Sequence, residues 1–210
     1  MAKLDLYKQH KAEYVAPRGP VLVDVKPAQY LTIEGRGEPG APAFQSKLGA
    51  LYNVAFTIKM TKKSARQDYA VCKLEGLWWG NKRKGDFLDE PRDLWNWKLM
   101  IRTPDLVQKR DLTEAAKTLI ARGRPADVSD VKLESLSEGR CVQILHSGPY
   151  DQENRTIELM HEFAAQNRLT LHGLHHEIYL SDPRRVEPAR LKTILRHPVR
   201  QQPCNAAHCR

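Results

Sequence analysis

Apolar residues recur with two periods along this chain, and the switches between them lay out its elements. Residues 1–16 are charged, with Leu4, Tyr7 and Tyr14 available to dock. They predict a short helix or arm, broken by Pro17 and Pro20. β-rich runs follow at 21–25 and 29–34, then a glycine-rich turn at 35–40. Behind Pro42, which suits a first helical turn, Phe44, Leu48, Leu51, Ala55 and Ile58 recur at helical spacing. A long helix with one core-facing stripe is predicted, ending in the polar run 61–67. Residues 69–79 and 95–102 predict two strands joined by a charged loop at 80–92, and Pro104 stops the second. Asp111 and Glu114 resemble a capping box. They head a helix with Leu112, Ala115, Ala116, Leu119 and Ile120 on its apolar face, and Gly123 ends it.

The same order then repeats. Strands are predicted at 131–134 and 140–146, and a Gly-Pro turn at 147–150. Asp151 can cap a helix whose Ile157, Met160, Phe163 and Ala164 face inward. A strand at 173–182 and a last one at 191–196, ended by Pro198, complete the set. In the side-by-side alignment Glu75 corresponds to Glu177, and 100–102 before Pro104 to 194–196 before Pro198. A βαββ unit cannot cover its own sheet, so two units are expected to join around a pseudo-twofold axis with a ligand cleft there. The expected class is α+β: a pseudo-twofold pair of βαββ units (SHS2-type) with antiparallel sheets around a central groove. The expected boundaries are an arm over 1–20 and one domain over 21–199. Within it, repeat one covers 21–104, a connector helix 105–127 and repeat two 128–199; a tail follows at 200–210.

The strand at 173–182 carries the most chemistry. His175, Glu177 and Tyr179 point one way, and His176, Ile178 and Leu180 the other, a side apolar enough to pack on a helix. A glutamate among large side chains in mid-strand is costly if buried without a task. Glu177 is therefore expected in a ligand groove that the rest of the chain builds.

Composition narrows the class. The chain has 210 residues, 41% apolar and 28% charged, with net charge +9, as suits a globular domain. No apolar run reaches the roughly 18–20 residues of a membrane span. The first ten residues have no apolar core or cleavage site, which points to the cytoplasm. From 181 to 210 there are seven Lys/Arg and two acids. No aromatic interleaving accompanies them, so a solvated basic edge is preferred over a nucleic-acid site. Cys72 and Cys141 fall in predicted strands and are expected in the core. Cys204, His208 and Cys209 match no standard zinc spacing, and the adjacent His175 and His176 face opposite ways, so no metal and no cofactor are expected. Nothing in the pattern fixes an oligomeric state.

The paired βαββ halves join several motifs: Trp78-Trp79, Trp95-Asn-Trp-Lys-Leu-Met-Ile-Arg-Thr-Pro104, His146-Ser-Gly-Pro-Tyr150 and His175-His-Glu-Ile-Tyr-Leu-Ser-Asp-Pro-Arg184. Together, from about Val21 to Val199, they resemble the stand-alone GyrI-like small-molecule-binding proteins of the SOUL/GyrI superfamily. The resemblance implies a fold similar to the effector-binding domains of multidrug-responsive regulators, in which a buried Glu meets cationic aromatic drugs. Glu177 is the matching position. Some stand-alone members resemble hydrolases that open the cyclopropane ring of DNA-alkylating toxins, and gyrase-inhibitory members act on DNA gyrase. The chain shows no helix-turn-helix region, which disfavours a DNA-binding regulator.

A glutamate desolvated among aromatics should have a raised pKa and suit a general base. The expected step has Glu177 take a proton from water, with Tyr150 or Tyr179 orienting that water or hydrogen-bonding the developing phenolate. A planar aromatic substrate would stack on Trp79 and Trp97, Trp97 being the less secure because its face could be the helix side. His175 is assigned to ligand binding. Glu75 faces the same groove or, equally, is solvated or salt-bridged. Phe87 and Leu88 either close over the groove or anchor their loop. Two other readings stand beside the hydrolase: a non-catalytic binder of amphipathic cationic aromatics, and a gyrase-inhibitor-like interaction factor.

Overall fold

A computed structural model of the chain describes residues 3–81, 88, 90–124 and 126–202. Phe87 and the tail residues Cys204, His208 and Cys209 lie outside them. The chain order is α1 (Leu6–Gln9), β1 (Val21–Val25), β2 (Ala28–Arg36), α2 (Pro42–Ser64), β3 (Leu74–Trp79), β4 (Asn96–Thr103) and α3 (Lys109–Ala121). It continues with β5 (Lys132–Leu136), β6 (Gly139–Ser147), α4 (Asn154–Gln166), β7 (Leu169–Leu171), β8 (His175–Tyr179) and β9 (Lys192–Gln201). The fold is α+β, one antiparallel sheet in the order β1-β6-β9-β8-β3-β4-β2-β5, with β7 added along the end of β9.

The order states the pseudo-twofold. Each half contributes a three-stranded core, β2-β4-β3 or β6-β9-β8, and the axis passes between β3 and β8. Each half also lends its leading strand to the other: β1 pairs β6, and β5 pairs β2. This exchange ties the halves together at both edges as well as at the centre.

Both long helices lie on one face. Leu51, Val54, Ala55 and Ile58 of α2 pack on Leu31, Ile33, Leu99 and Ile101, while Ile157, Met160 and Ala164 of α4 pack on Val142, Ile144 and Leu195. Leu88 packs against both clusters and so lies over the divide between them. The chain before β1 crosses the other face, where Tyr14 and Ala16 cover Ile178 and Ile194.

Local chemistry explains several departures from expectation. The capping box of α3 is formed by Gln108 and Asp111, one turn earlier than Asp111 and Glu114. Pro198 does not end β9. It sits where β9 changes its neighbour from β8 to β7, where a ladder N–H is dispensable. Gly35 lies across from Trp97, and a Cβ there would come within 2.1 Å of the indole ring. Trp97 is 1% exposed and has nowhere to move. Gly35→Ala should therefore cost about 1–3 kcal/mol through overpacking, measurable as a lower urea midpoint at unchanged slope. An unchanged midpoint would contradict this packing.

Candidate active site between the two helices

The pleat of β8 places His175, Glu177 and Tyr179 on the helix face, at the seam between the halves. This corrects one expectation: the helices cover the glutamate's side of β8, and the extended arm covers Ile178. Both cores are apolar on that side, so the glutamate occupies the gap that two separate helices leave between them.

Across the seam, Gly76 of β3 stands opposite Glu177, and Leu195 of β9 flanks it on the other side. The missing side chain at Gly76 opens room for a polar bridge. The Tyr179 hydroxyl donates to Glu177 Oε2 at 2.7 Å, and the Trp78 indole N–H donates to the Tyr179 oxygen at 3.2 Å. A Cβ on Gly76 would stand 3.1 Å from that nitrogen and 3.2 Å from that hydroxyl. Tyr150, at the turn before α4, meets Tyr179 edge to face, with ring centroids 5.8 Å apart. Tyr150 is 38% exposed and forms the solvent side of the cluster.

The decisive neighbour is Glu153, the residue immediately preceding α4. Glu153 is 4% exposed and Glu177 7%. Burial, then the charge of Glu177, pushes the Glu153 carboxyl well above the usual carboxylate range, with Thr193 beside it. Two carboxyls in one dry site cannot both ionise cheaply. Of the pair, Glu153 is the one whose carboxyl is pushed up, and Glu177 is the one that receives the Tyr179 hydrogen bond. Among the described residues no lysine or arginine pairs with either acid.

His175 Nε2 stands 3.6 Å from Glu177 Oε1. Behind His175 lies His197, their ring centroids 6.2 Å apart. Burial, then His175 and His161, pushes His197 down to about 3, so it is neutral. Burial, then Glu153 and Glu177, pushes the Tyr150 phenol up to about 12, so it remains a hydrogen-bond donor.

The structure thus brings Glu177, Tyr179, Tyr150 and His175 together and leaves three other expected site residues elsewhere. Trp79 and Glu75 lie on the opposite face because strand neighbours alternate. Trp79 packs near Tyr30, Leu77 and Met100. Trp97 is on the helix face but deep beneath α2, edge-on to Phe44, with its N–H donating to the Gly37 carbonyl. The indole beside Glu177 and Tyr179 is that of Trp78, not Trp79. Glu153 is not among the residues expected from the sequence, although it lies four residues before Ile157 on the stripe that continues to Met160 and Ala164. A carboxyl on an apolar stripe is its signal in the sequence; Asp151, the expected cap, is exposed, and α4 starts without a side-chain cap bond.

Glu75 has a different setting. It accepts from the Tyr14 hydroxyl at 2.9 Å and meets His176 Nε2 at 3.0 Å. The other His176 nitrogen meets Glu138 at 3.0 Å, and Arg196 donates to Glu138, to Gln143 and to the Glu13 carbonyl. Arg102 bonds Glu13 at 2.7 Å. Burial opposes the His176 charge, but Glu138 and then Glu75 outweigh it and push the imidazole up to about 9. A folded value above the ordinary 6.5 stabilises the fold fully below pH 6.5, and the contribution is lost as pH rises through about 9. The urea midpoint should fall across that interval, by on the order of 3 kcal/mol in stability, and His176→Gln should flatten the slope. A wild-type midpoint flat from pH 6.5 to 9.5 would contradict a charged His176.

The chain as a whole also fits a family. The profile of the GyrI-like small molecule binding domain matches residues 20–200. This chain belongs to the GyrI-like family. GyrI-like domains bind small molecules, and the seam between α2 and α4 is where this one buries Glu153, Glu177 and His175. The chain is similar to an uncharacterized conserved protein from Listeria innocua, with 38% identity over 94% of this chain and 100% of that one, at a TM-score of 0.87. It is also similar to a hydrolase from Listeria innocua, with 35% identity over 94% and 100% of the two chains and a TM-score of 0.84. The EcmrR C-terminal domain shares the fold alone, at 10% identity over 87% and 98% of the chains and a TM-score of 0.60. No curated protein matches the chain. Among the described residues of this GyrI-like protein, no His/Cys/Asp/Glu group of three or more could hold a metal, and no helix is long and apolar enough to cross a membrane.

Proposed function

We propose that this GyrI-like protein hydrolyses cyclopropanoid or similarly electrophilic, DNA-alkylating aromatic molecules, and so protects the cell that makes it. The observation that carries this reading is the buried pair of Glu153 and Glu177, the second held by the Tyr179 hydroxyl, beside the aromatic rings of Tyr150, Tyr179 and Trp78. A binding site for neutral ligands needs no such pair, and a carboxyl pushed up by burial beside a hydrogen-bonded one suits a general acid working with a general base. The similarity to a protein described as a hydrolase supports the same class.

In the proposed step Glu177 takes one proton from a water molecule. The water oxygen bonds to the strained ring carbon, and the ring C–C bond breaks. Its electron pair passes through the conjugated system to the carbonyl oxygen, which becomes a phenol by taking the proton of Glu153. The product is the substrate plus one water. The carboxyls have exchanged protonation states, and one proton moving between them restores the site. Tyr179 holds Glu177 in place, and Tyr150 offers a hydrogen bond to the developing phenolate. Trp78 supplies an indole close to the acids.

The deciding experiment is incubation with a cyclopropane-bearing alkylator, followed by mass measurement. Catalytic gain of one water is expected. Stoichiometric binding without product would sink the hydrolase and leave the second reading, sequestration of cationic aromatics by Glu177, which no lysine or arginine pairs among the described residues.

A further inference from the structure

A cavity lies away from the carboxyl pair, between α2 and α3. It encloses about 800 Å³ and is walled by Phe56, Thr57 and Met60 of α2 and by Glu114, Thr118 and Leu119 of α3. Lys62, in the last turn of α2, bonds Asp111, in the first turn of α3, at 2.8 Å, and Asn53 and Arg122 line the same groove. The helices therefore run antiparallel and frame a straight valley. Phe56 and Met60 are each 51% exposed in it, in a protein that buries most of its large apolar side chains.

The ends of the valley are basic. Arg110 stands at one end, and Arg122 and Arg124 at the other. Twelve helical positions separate Arg110 from Arg122, or about 18 Å. All three are exposed, and none has an ion-pair partner among the described residues. The acids of the valley are already engaged: Asp111 by Lys62 and the Gln108 N–H, Glu114 by Lys117.

We infer that this valley docks an acidic amphipathic helix of a partner protein. The apolar stripe of that helix lies on Phe56 and Met60, and carboxylates about three turns apart meet Arg110 at one end and Arg122 and Arg124 at the other. A helix laid between two antiparallel helices completes a three-helix layer by ordinary ridge-and-groove packing. Charge argues against a second copy of this chain, which carries +9 overall and would set arginines against a basic surface. The exposed aromatic and thioether in mid-valley, and the carboxylates on its wall, argue against a phosphate backbone. The inference stands apart from the hydrolase reading and does not use its residues.

The test uses the full chain and a labelled synthetic helix of eighteen residues, with leucines on one stripe and glutamates at both ends. Saturable binding that weakens with salt is expected in fluorescence anisotropy. R122E/R124E should weaken it at least tenfold, as should Phe56→Asp. A lysine-for-glutamate version of the peptide should bind wild type at least tenfold more weakly and recover on R122E/R124E, an exchange no folding defect can produce. Four results would overturn the inference. They are no saturable binding, equal affinity for the lysine peptide, displacement of the acidic peptide by a short DNA duplex that binds more tightly, and a concentration-dependent dimer of wild type that Phe56→Asp abolishes.

Discussion

Glu177→Gln is expected to lower turnover of a cyclopropane-bearing alkylator by about 10²–10⁴-fold while leaving its affinity within a few-fold of wild type. The amide has the carboxylate's shape, and its oxygen can still accept the Tyr179 hydroxyl, so the floor of the site keeps its form. What disappears is the base. A second readout separates this from a packing defect. The Glu177 charge is one of the causes holding the Glu153 carboxyl high, burial being the larger. In the variant the Glu153 carboxyl should therefore move down part of the way, followed by its carboxyl stretch in infrared difference spectra. Glu153→Gln should also slow turnover, by removing the acid that protonates the product oxygen. Retained turnover in Glu177→Gln would exclude Glu177 as the base, whatever happens to binding.

How the two halves correspond shows what alternation in a sequence can and cannot decide. The order of elements was legible, because period two and period 3.6 alternate cleanly through the chain. The register was not. The two glutamates, 75 and 177, invite an alignment that places them at equivalent points. The strand pairings instead relate Glu75 to His176, Gly76 to Glu177 and Trp78 to Tyr179, one residue away. In a strand, a shift of one exchanges the faces. That single step sends Glu75 and Trp79 to the far side of the sheet and brings Trp78 to the site.

The same step makes the site asymmetric in a useful way. Where one half has Glu177, the other has a glycine, and where one has Tyr179, the other has Trp78. One half thus supplies the carboxyl and the phenol, and the other half supplies room and an indole. Alternation also assigns residues to two faces without saying which face the helices cover. An apolar face closed by Tyr14 and Ala16 looks the same in sequence as one closed by a helix.

Arg196→Met is expected to be the most destabilising single change on the arm side of the sheet, at about 3–5 kcal/mol. Arg196 is 1% exposed, and its guanidinium bonds Glu138, Gln143 and the Glu13 carbonyl, joining β9, β6, the residues before β6 and the arm. Methionine keeps the apolar stem as far as the arginine Nε, so most of the loss is of hydrogen bonds and charge and not of stem packing. Glu138 would keep only His176, and Gln143 and the Glu13 carbonyl would lose their donor in a dry interior. The pH response identifies the cause. Burial opposes the Glu138 charge, but His176 and then Arg196 hold its carboxyl down at about 2. A depressed value stabilises the fold above the ordinary 4.5, and the contribution is lost as pH falls through about 2. Without Arg196 that acid limb should move to higher pH, while the alkaline limb set by His176 persists. The carboxyl pair lies on the other face of the same strands, so ligand binding should survive wherever the variant is folded. A loss under 1 kcal/mol, or an acid limb that stays in place, would mean that the buried network contributes little and that the apolar packing of Tyr14 and Ala16 alone holds the arm.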